Sequence, residues 1–407
     1  MLKPRLVHIS ADYPDPVVPA KTAAIRNLVH LIDTQFANRV ISLNRRPVGA
    51  ARLAALCIRG FGTPALHIEE QAFPDGIAMA YHAPGKGIWH HTMLAALGDV
   101  IARRVEASGG ADLVVGHKLT VEGIAAARAS QRLGIPFALT IQGDTDTKIL
   151  AARPDLRARF ARIFHEAALV CSFAPWSLAA VENLLGKRHG PVCILPCPTE
   201  LDTLLPPRIV PDSLLSVFHL ASHRRKNLAG MARALDRAQG QRPELALAVV
   251  GGGSASDQAS ARAAAGAVQG LAFEGPLPRE EMAARMNRAT GLVLPSRRET
   301  FGMVFVEALF AGCPVIYPRG RAIEGYFEGA PFAIAVDPHD PAEIASAMLH
   351  LAREEAGIKD ALAQWQLSGG ASRFTRKAIG ATYAGALSAM FSGVLDASSA
   401  YASQGVA

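Results

Sequence analysis

The chain has 407 residues, half of them apolar, which is enough to bury a sizeable core and to form two domains rather than one. A net charge of +7 and a pI near 9.3 favour anionic partners, but the basic residues are scattered and aromatics make up only 6%. With so few stacking surfaces, nucleic acid is not the expected partner, and as a third reading it would show steeply salt-dependent affinity; a small diphosphate ligand or peripheral contact with an anionic membrane fits the charge equally well. No apolar run is long enough to span a membrane and no charged-then-apolar leader opens the chain, so a soluble, cytoplasmic protein is expected. Five cysteines without close pairs argue against a disulfide framework, and Cys193 and Cys197 lack a second pair or a nearby His to complete a zinc site, so buried thiols are expected.

The N-terminal half alternates apolar runs with helical stretches, as a doubly wound parallel sheet requires. Leu6 to Ser10 reads as the first strand, followed by a Pro-rich loop from Tyr13 to Thr22 and a helix reaching about Thr34. From about Val48 to Gly87, scattered Gly and Pro give no assignable period. Tyr81 to His91 reads as a solvated loop before a helix that ends near Glu106; His90 and His91 are adjacent, so helical geometry points them about 100° apart and away from a shared ion. Asp112 to Gly116 is a strand with His117 at its C-terminal end, where parallel sheets bind ligands. Phe137 to Ile141 is another strand, running into a polar loop that holds Gln142, Asp144 and Asp146. Strands at Ala168–Ser172 and Val192–Leu195 flank a helix over Pro175–Leu185, and the prolines up to Pro211 read as an interdomain hinge.

The second half opens with a strand at Ser216–Leu220 and a helix started by His223-Arg-Arg-Lys-Asn-Leu228. Leu245 to Val250 runs into Gly251-Gly-Gly253, a glycine turn that NAD domains also use, but no Gly-x-Gly-x-x-Gly follows a first strand, which lowers a dehydrogenase reading. Gly291 to Pro295 is a strand, Ser296 to Thr300 a polar turn and Gly302 to Ala311 a helix, with Gly312 placed for a left-handed stop and Pro314 opening the next strand. Glu299 and Glu307 punctuate this unit with seven residues between them. A helix start suits a diphosphate, and Glu307 stands roughly 7–8 Å along the axis from Gly302, an offset that separates the ribose from the transferred sugar of a nucleotide sugar. Carboxylates accept hydrogen bonds from sugar hydroxyls. A strand at Ala333–Asp337, a helix at Pro341–Glu354 capped by Asp340, a last helix over 373–394 and a frayed tail complete the chain.

Glu299-Thr-Phe-Gly-Met-Val-Phe-Val-Glu307, followed by Ala-Leu-Phe-Ala-Gly-Cys-Pro-Val, resembles the Glu-x7-Glu signature of retaining glycosyltransferases of family 4. The resemblance implies the α/β GT-B fold, two Rossmann-like doubly wound domains facing a cleft: 1–205 for the acceptor, 206–372 for the nucleotide sugar, 373–394 as a helix crossing back to the N-terminal domain, and 395–407 as a disordered tail. It implies transfer of a hexose from a UDP- or GDP-sugar to a hydroxyl of a glycan, lipid-linked saccharide or polysaccharide precursor, without a metal or other cofactor. The alternative is a non-enzymatic sugar- or nucleotide-binding protein on the same scaffold. By resemblance, Glu299 and the segment Thr300, Phe301, Gly302, Met303 and Val304 hold the donor sugar, and Glu307 holds the ribose. Lys226 holds the diphosphate, with Arg224 or Arg225 replacing a family Arg whose position is taken by Ala221. Gly251 and Gly252 approach the nucleotide, Pro276 and Leu277 cup the base, and His117 stands near the reactive centre. The family's N-terminal Gly pair is missing, so Lys21 is assigned to the acceptor side with Gln142 and Asp144, and Gln142 replaces a family His. Asp144-Thr-Asp146 matches a metal triplet of a different glycosyltransferase fold, a reading the implied fold rejects.

Overall fold

The computed structural model describes residues 3–49, 51, 54–55, 58, 66–84 and 87–391. The proposed tail, 395–407, and Cys57 lie outside the described residues. The chain separates into two units. One takes the described residues of Met1–Phe173, Ser177–Pro198 and Lys377–Ala407; the other takes Ala174–Trp176 and Thr199–Arg376.

The first unit is built on an eight-stranded sheet in the order β3-β4-β2-β1-β5-β6-β7-β8. Its strands are β1 (Arg5–Ser10), β2 (Ala37–Pro47), β3 (Ile68–Phe73), β4 (Gly76–Ala83), β5 (Leu113–Gly116), β6 (Phe137–Ile141), β7 (Leu169–Ser172) and β8 (Val192–Ile194). All neighbours pair in parallel except β3 with β4. β5, β6 and β7 are buried at every position and apolar except for Thr140 and Ser172, as strands covered on both faces should be. The helices are α1 (Ala24–His30), α2 (His90–Ala107), α3 (Glu122–Leu133), α4 (Asp144–Ala152), α5 (Arg157–Glu166) and α6 (Pro175–Leu185).

Three expectations need correction here. The unassigned stretch 48–87 contains β3 and β4, a hairpin closed by Pro74-Asp75 between the paired Phe73 and Gly76. Its first strand is mostly exposed and reads Ile-Glu-Glu-Gln-Ala-Phe, so polar residues occupy both faces and hide the period-2 pattern. The first helix stops at His30, not Thr34, because the chain to Phe36 tightens into turns such as Gln35 N to Ile32 O at 3.0 Å. Asp144 and Asp146 lie in the first turn of α4, not in a loop; acidic groups suit that end of a helix.

The second unit holds a six-stranded parallel sheet in the order β11-β10-β9-β12-β13-β14. Its strands are β9 (Ser213–Val217), β10 (Ala246–Val250), β11 (Leu271–Gly275), β12 (Gly291–Val293), β13 (Val315–Pro318) and β14 (Ala333–Val336). Its helices are α7 (Leu228–Gln239), α8 (Ala255–Ala265), α9 (Arg279–Asn287), α10 (Met303–Phe310), α11 (Pro341–Arg353) and α12 (Glu355–Leu367). β9 begins three residues before the expected strand and stops at Val217, short of Leu220, which already starts a short 3-10 turn. Asp340 caps α11 by accepting from Ala342 N at 2.8 Å and Glu343 N at 3.3 Å. Gly312 adopts the left-handed stop (φ 71°) expected after α10. α12 was not expected, and the last helix, α13 (Arg376–Ala389), is shorter than the 373–394 read from sequence. Residues 377–391 belong to the first unit, whereas 199–205 belong to the second.

The chain entering the second unit is pinned by a buried ion pair. Lys359 Nζ meets Glu355 Oε1 at 2.6 Å and also donates to Ala289 O and Arg208 O, while Val210 N donates to the same Glu355 oxygen at 2.7 Å. The two side chains are 2% and 6% exposed, so removing one strands the other without water. Lys359→Ala is expected to cost about 3–5 kcal/mol in denaturant unfolding of this unit. A loss below about 1 kcal/mol would show that the pair does not hold the segment.

Candidate functional site

In the second unit, the loops after β9, β10, β11 and β12 all leave the C-terminal edge of one parallel sheet, where open α/β sheets bind ligands. The first loop carries Arg224, Arg225 and Lys226 in the turn before α7, and it ends at Asn227 in a left-handed conformation (φ 64°). Asn227 ties this turn to its neighbours: its Nδ2 donates to Pro295 O at 3.1 Å and Pro338 O at 2.7 Å, and its Oδ1 accepts from Arg297 Nε at 3.2 Å. Arg297 N also donates to Arg225 O at 2.9 Å. The loop after β12 is thereby laid against the basic turn. Lys226 Nζ reaches Glu299 Oε2 at 2.5 Å, and Ser296 Oγ donates to the same oxygen at 3.3 Å. Both partners of the ion pair are largely shielded, whereas Arg224 and Arg225 are exposed.

Gly302 starts α10 with φ 74° and ψ 66°, and a Cβ there would lie 2.6 Å from the Phe305 ring. No other residue fits so cheaply. No side chain caps this helix start, which leaves its positive end available to an anion. Phe301, Phe305, Val306 and Ala308 are buried, while Met303, Val304 and Glu307 are only partly so and share one helix face. Glu307 accepts a hydrogen bond from the Thr199 hydroxyl. Burial raises its pKa, with the Thr199 bond and the Arg279 charge acting the other way. Thr300 is half-buried beside Glu299.

On the other side of β9, Gly251 follows β10 so tightly that a Cβ would stand 1.8 Å from Phe218 O. Gly252 sits against Pro276, to whose Cβ an added methyl would come within 3.5 Å. Pro276 is exposed and Leu277 half-buried. Sequence reasoning missed Thr199, Ser296, Asn227 as a tie and Arg297. Thr199 could have been noticed only as a hydroxyl in the Pro-Cys-Pro-Thr-Glu segment, 108 positions from its partner.

In the first unit, the C-terminal ends of β1, β5 and β6 gather a second set. His117 is fully buried and stacks on His8, with His117 Nε2 and His8 Nδ1 3.0 Å apart. Asn38 donates its amide to Asp33 Oδ1 at 2.7 Å, so its Oδ1 faces His8 Nε2 at 3.1 Å as an acceptor. His8 therefore carries its proton on Nε2 and accepts from His117 Nε2–H, which leaves His117 Nδ1 a bare, enclosed acceptor with no partner. Burial holds His8 down to about 4 and His117 well below the usual imidazole range, so both are neutral. Gln142 Nε2 donates to His117 O at 3.0 Å, bringing these two expected residues together. Asp146 is fully buried and accepts from Thr120 N at 2.9 Å and Thr120 Oγ1 at 2.8 Å, while Asp144 is half-buried. Lys21 is spent within the loop before α1: it meets Asp15 at 2.7 Å and Ser42 Oγ at 2.9 Å. Asp15, not singled out in the sequence, also binds Val17 N, Val18 N and Asn44; against its burial, the bonds from Lys21, Ser42, Asn44 and Val18 N hold it at about 2. Cys171, Cys193, Cys197 and Cys313 are free thiols.

Residues 212–354 match the family model described as "Glycosyl transferases group 1". Over 136 residues the chain is 32% identical to D-inositol 3-phosphate glycosyltransferase of Thermobifida fusca, covering 31% of each protein. Over 83 residues it is 35% identical to the protein of that name from Corynebacterium kroppenstedtii, covering 20% of this chain and 18% of that one. The aligned parts thus span less than a third of these relatives' length. Among solved structures, sucrose-phosphate synthase from Thermosynechococcus elongatus superposes with a TM-score of 0.69 at 18% identity, over 96% of this chain and 100% of that one. Anabaena HepE in complex with UDP gives 0.62 at 14%, over 95% and 100%.

The Lys118 cluster beside His117 offers a direct test of this unit's electrostatics. Lys118 Nζ is 2.5 Å from Asp12 and 3.7 Å from Glu122, which also accepts from Ala11 N at 2.6 Å. Burial pushes Glu122 from 4.5 up to about 7, against the pull of Lys118. The folded state then keeps a proton that the unfolded chain has lost, so this group's contribution falls as pH rises from 4.5 through about 7. The Tm of the wild type should drop relative to Glu122→Gln across that window. A difference that does not change with pH would contradict the assignment.

Proposed function

We propose that this chain, which belongs to the group 1 glycosyl transferases through residues 212–354 and has the GT-B architecture, moves a hexose from a UDP- or GDP-sugar to a hydroxyl acceptor with retention of configuration. The observation that carries the reading is the Lys226–Glu299 ion pair beside the uncapped start of α10. A cation from one loop, a carboxylate from the next and the free amides of a helix start offer a diphosphate its counter-charge and a sugar its hydroxyl acceptor. In this proposal Lys226 takes the diphosphate, with Arg225 and Arg224 as exposed auxiliaries. Glu299 and the segment from Thr300 to Val304 take the hexose. Glu307 takes the ribose diol, and Gly251, Gly252, Pro276 and Leu277 take the nucleoside.

The bond from the anomeric carbon to the leaving diphosphate oxygen breaks, and the acceptor oxygen bonds to the same face of that carbon. The acceptor proton passes to the leaving phosphate. Cationic groups and the helix dipole stabilise the charge that develops there. His117 is neutral and fully buried with Nδ1 enclosed, so its proposed part is to position Gln142 through its carbonyl. Gln142 and Asp144 are assigned to the acceptor, a saccharide or a lipid-linked one, while Lys21 positions its loop. The reaction as proposed needs no metal. The absence of a cation at Ala221 favours the competing reading, a nucleotide- or sugar-binding protein without activity. Turnover of a UDP- and GDP-hexose panel by the pure protein separates the two.

The same assay divides the two carboxylates. Glu307→Ala should raise the donor KM with kcat little changed, because a ribose contact acts in ground and transition states alike. Glu299→Ala should instead lower kcat, since its sugar distorts on reaction. Reversed signatures would overturn the two assignments.

A further inference from the structure

Outside these groups, metal-ligating side chains gather on the β3–β4 hairpin. His67 directly precedes β3 and accepts a backbone hydrogen bond from His82 N at 3.2 Å, so the two residues face each other across the ladder. Glu69 follows His67 by two positions, and the strand period puts it on the same face. The register pairs Ile68 with Tyr81 and Glu69 with Ala80, which makes His82 the diagonal neighbour of Glu69 on that face. The side chains converge accordingly. Glu69 Oε1 is 3.7 Å from His67 Nε2 and 3.6 Å from His82 Nε2, and the two rings lie 5.3 Å apart. One ligand atom from each residue falls within 4.8 Å of the other two. His82 Nε2 is enclosed and makes no hydrogen bond, although its side chain is on a surface hairpin.

We propose that His67, Glu69 and His82 bind a divalent transition-metal ion of the zinc class, in a site separate from sugar transfer. Two imidazole nitrogens and one carboxylate suit zinc and its first-row neighbours and are a poor set for magnesium or calcium, which prefer oxygen. Tetrahedral bonds of about 2.0–2.2 Å require ligand atoms roughly 3.3–3.6 Å apart, so Glu69 is already near range and the two rings must close by a rotation. Arg46 Nη1 holds the other oxygen of Glu69 at 2.6 Å. It fixes the carboxylate and leaves Oε1 for the ion, as outer partners of metal ligands do. Its charge opposes a cation, but both members of that pair are nearly half exposed, so water screens the repulsion. Three protein ligands leave one position for water. Among the described residues β3 is the edge strand of its sheet and pairs with β4 alone, so a bound ion would clip the open end of the hairpin.

The test uses the full chain, stripped with a chelator and titrated with Zn2+ by calorimetry, with Co2+ as a spectroscopic stand-in. The expected result is one saturable site per chain, the intense visible bands of four-coordinate Co2+, and a Tm that rises with zinc. His67→Gln and Glu69→Gln, both at exposed positions, should keep the fold by circular dichroism and weaken binding by about tenfold or more. Donor turnover should stay within about twofold with or without chelator, since no residue of this site is assigned to donor or acceptor. Three results would overturn the proposal: no saturable binding up to sub-millimolar zinc; unchanged affinity in both variants, which places the ion elsewhere; or turnover that is lost on chelation and restored by zinc.

Discussion

The ion pair between Lys226 and Glu299 joins two loops that come from neighbouring strands of one parallel sheet, and the candidate site depends on that junction. Without a partner, Lys226 would stand close to the positive end of α7, where cations are disfavoured by roughly 0.3–1 kcal/mol. Glu299 would stand close to the start of α10, where anions are welcome. Pairing offsets the cation near the start of α7 and leaves the start of α10 without a side-chain cap, while Asn227, Arg297 and Ser296 keep the two loops in register around the pair. In the proposed function a diphosphate gives Lys226 an anion and a hexose gives Glu299 hydroxyls, so the ion pair would be an internal stand-in for the ligand and the cost of breaking it part of the binding free energy.

Much of this was legible in the sequence because it depends on local signals. Strands β5, β6 and β12 are short apolar runs, Gly302 and Gly312 bracket α10, and Asp340 with Pro341 announces α11. The position of Glu307 on the accessible face of α10 follows from helical spacing alone. What was not legible depends on partners far away in the chain. Thr199 binds Glu307, Asn227 holds the carbonyls of Pro295 and Pro338, and Lys359 reaches back to Arg208; no periodicity encodes such pairs. The β3–β4 hairpin was missed for a different reason. An edge strand buries little, so its residues need not alternate.

His117 shows how a correct placement can still mislead about chemistry. It stands at the end of β5 as its spacing indicates, but the His8–Asn38 relay fixes its tautomer and burial keeps it neutral. A protonated histidine could help carry the negative charge of a leaving group. A neutral one with a bare Nδ1 can only accept a hydrogen bond, so the proposed reaction assigns charge stabilisation to the second unit's cations and helix dipole.

The central claim, that Lys226 is held by Glu299 until a diphosphate replaces it, is tested most directly by calorimetric titration of UDP and GDP into the wild type, Lys226→Ala, Glu299→Ala and the double variant. Because the free nucleotide lacks the hexose that Glu299 would hold, removing Glu299 should release Lys226 and tighten binding of the preferred nucleotide, while removing Lys226 should weaken it by about tenfold or more, with or without Glu299. If Lys226→Ala binds that nucleotide as tightly as the wild type, and Glu299→Ala changes nothing, the pair is only structural and the diphosphate is held elsewhere.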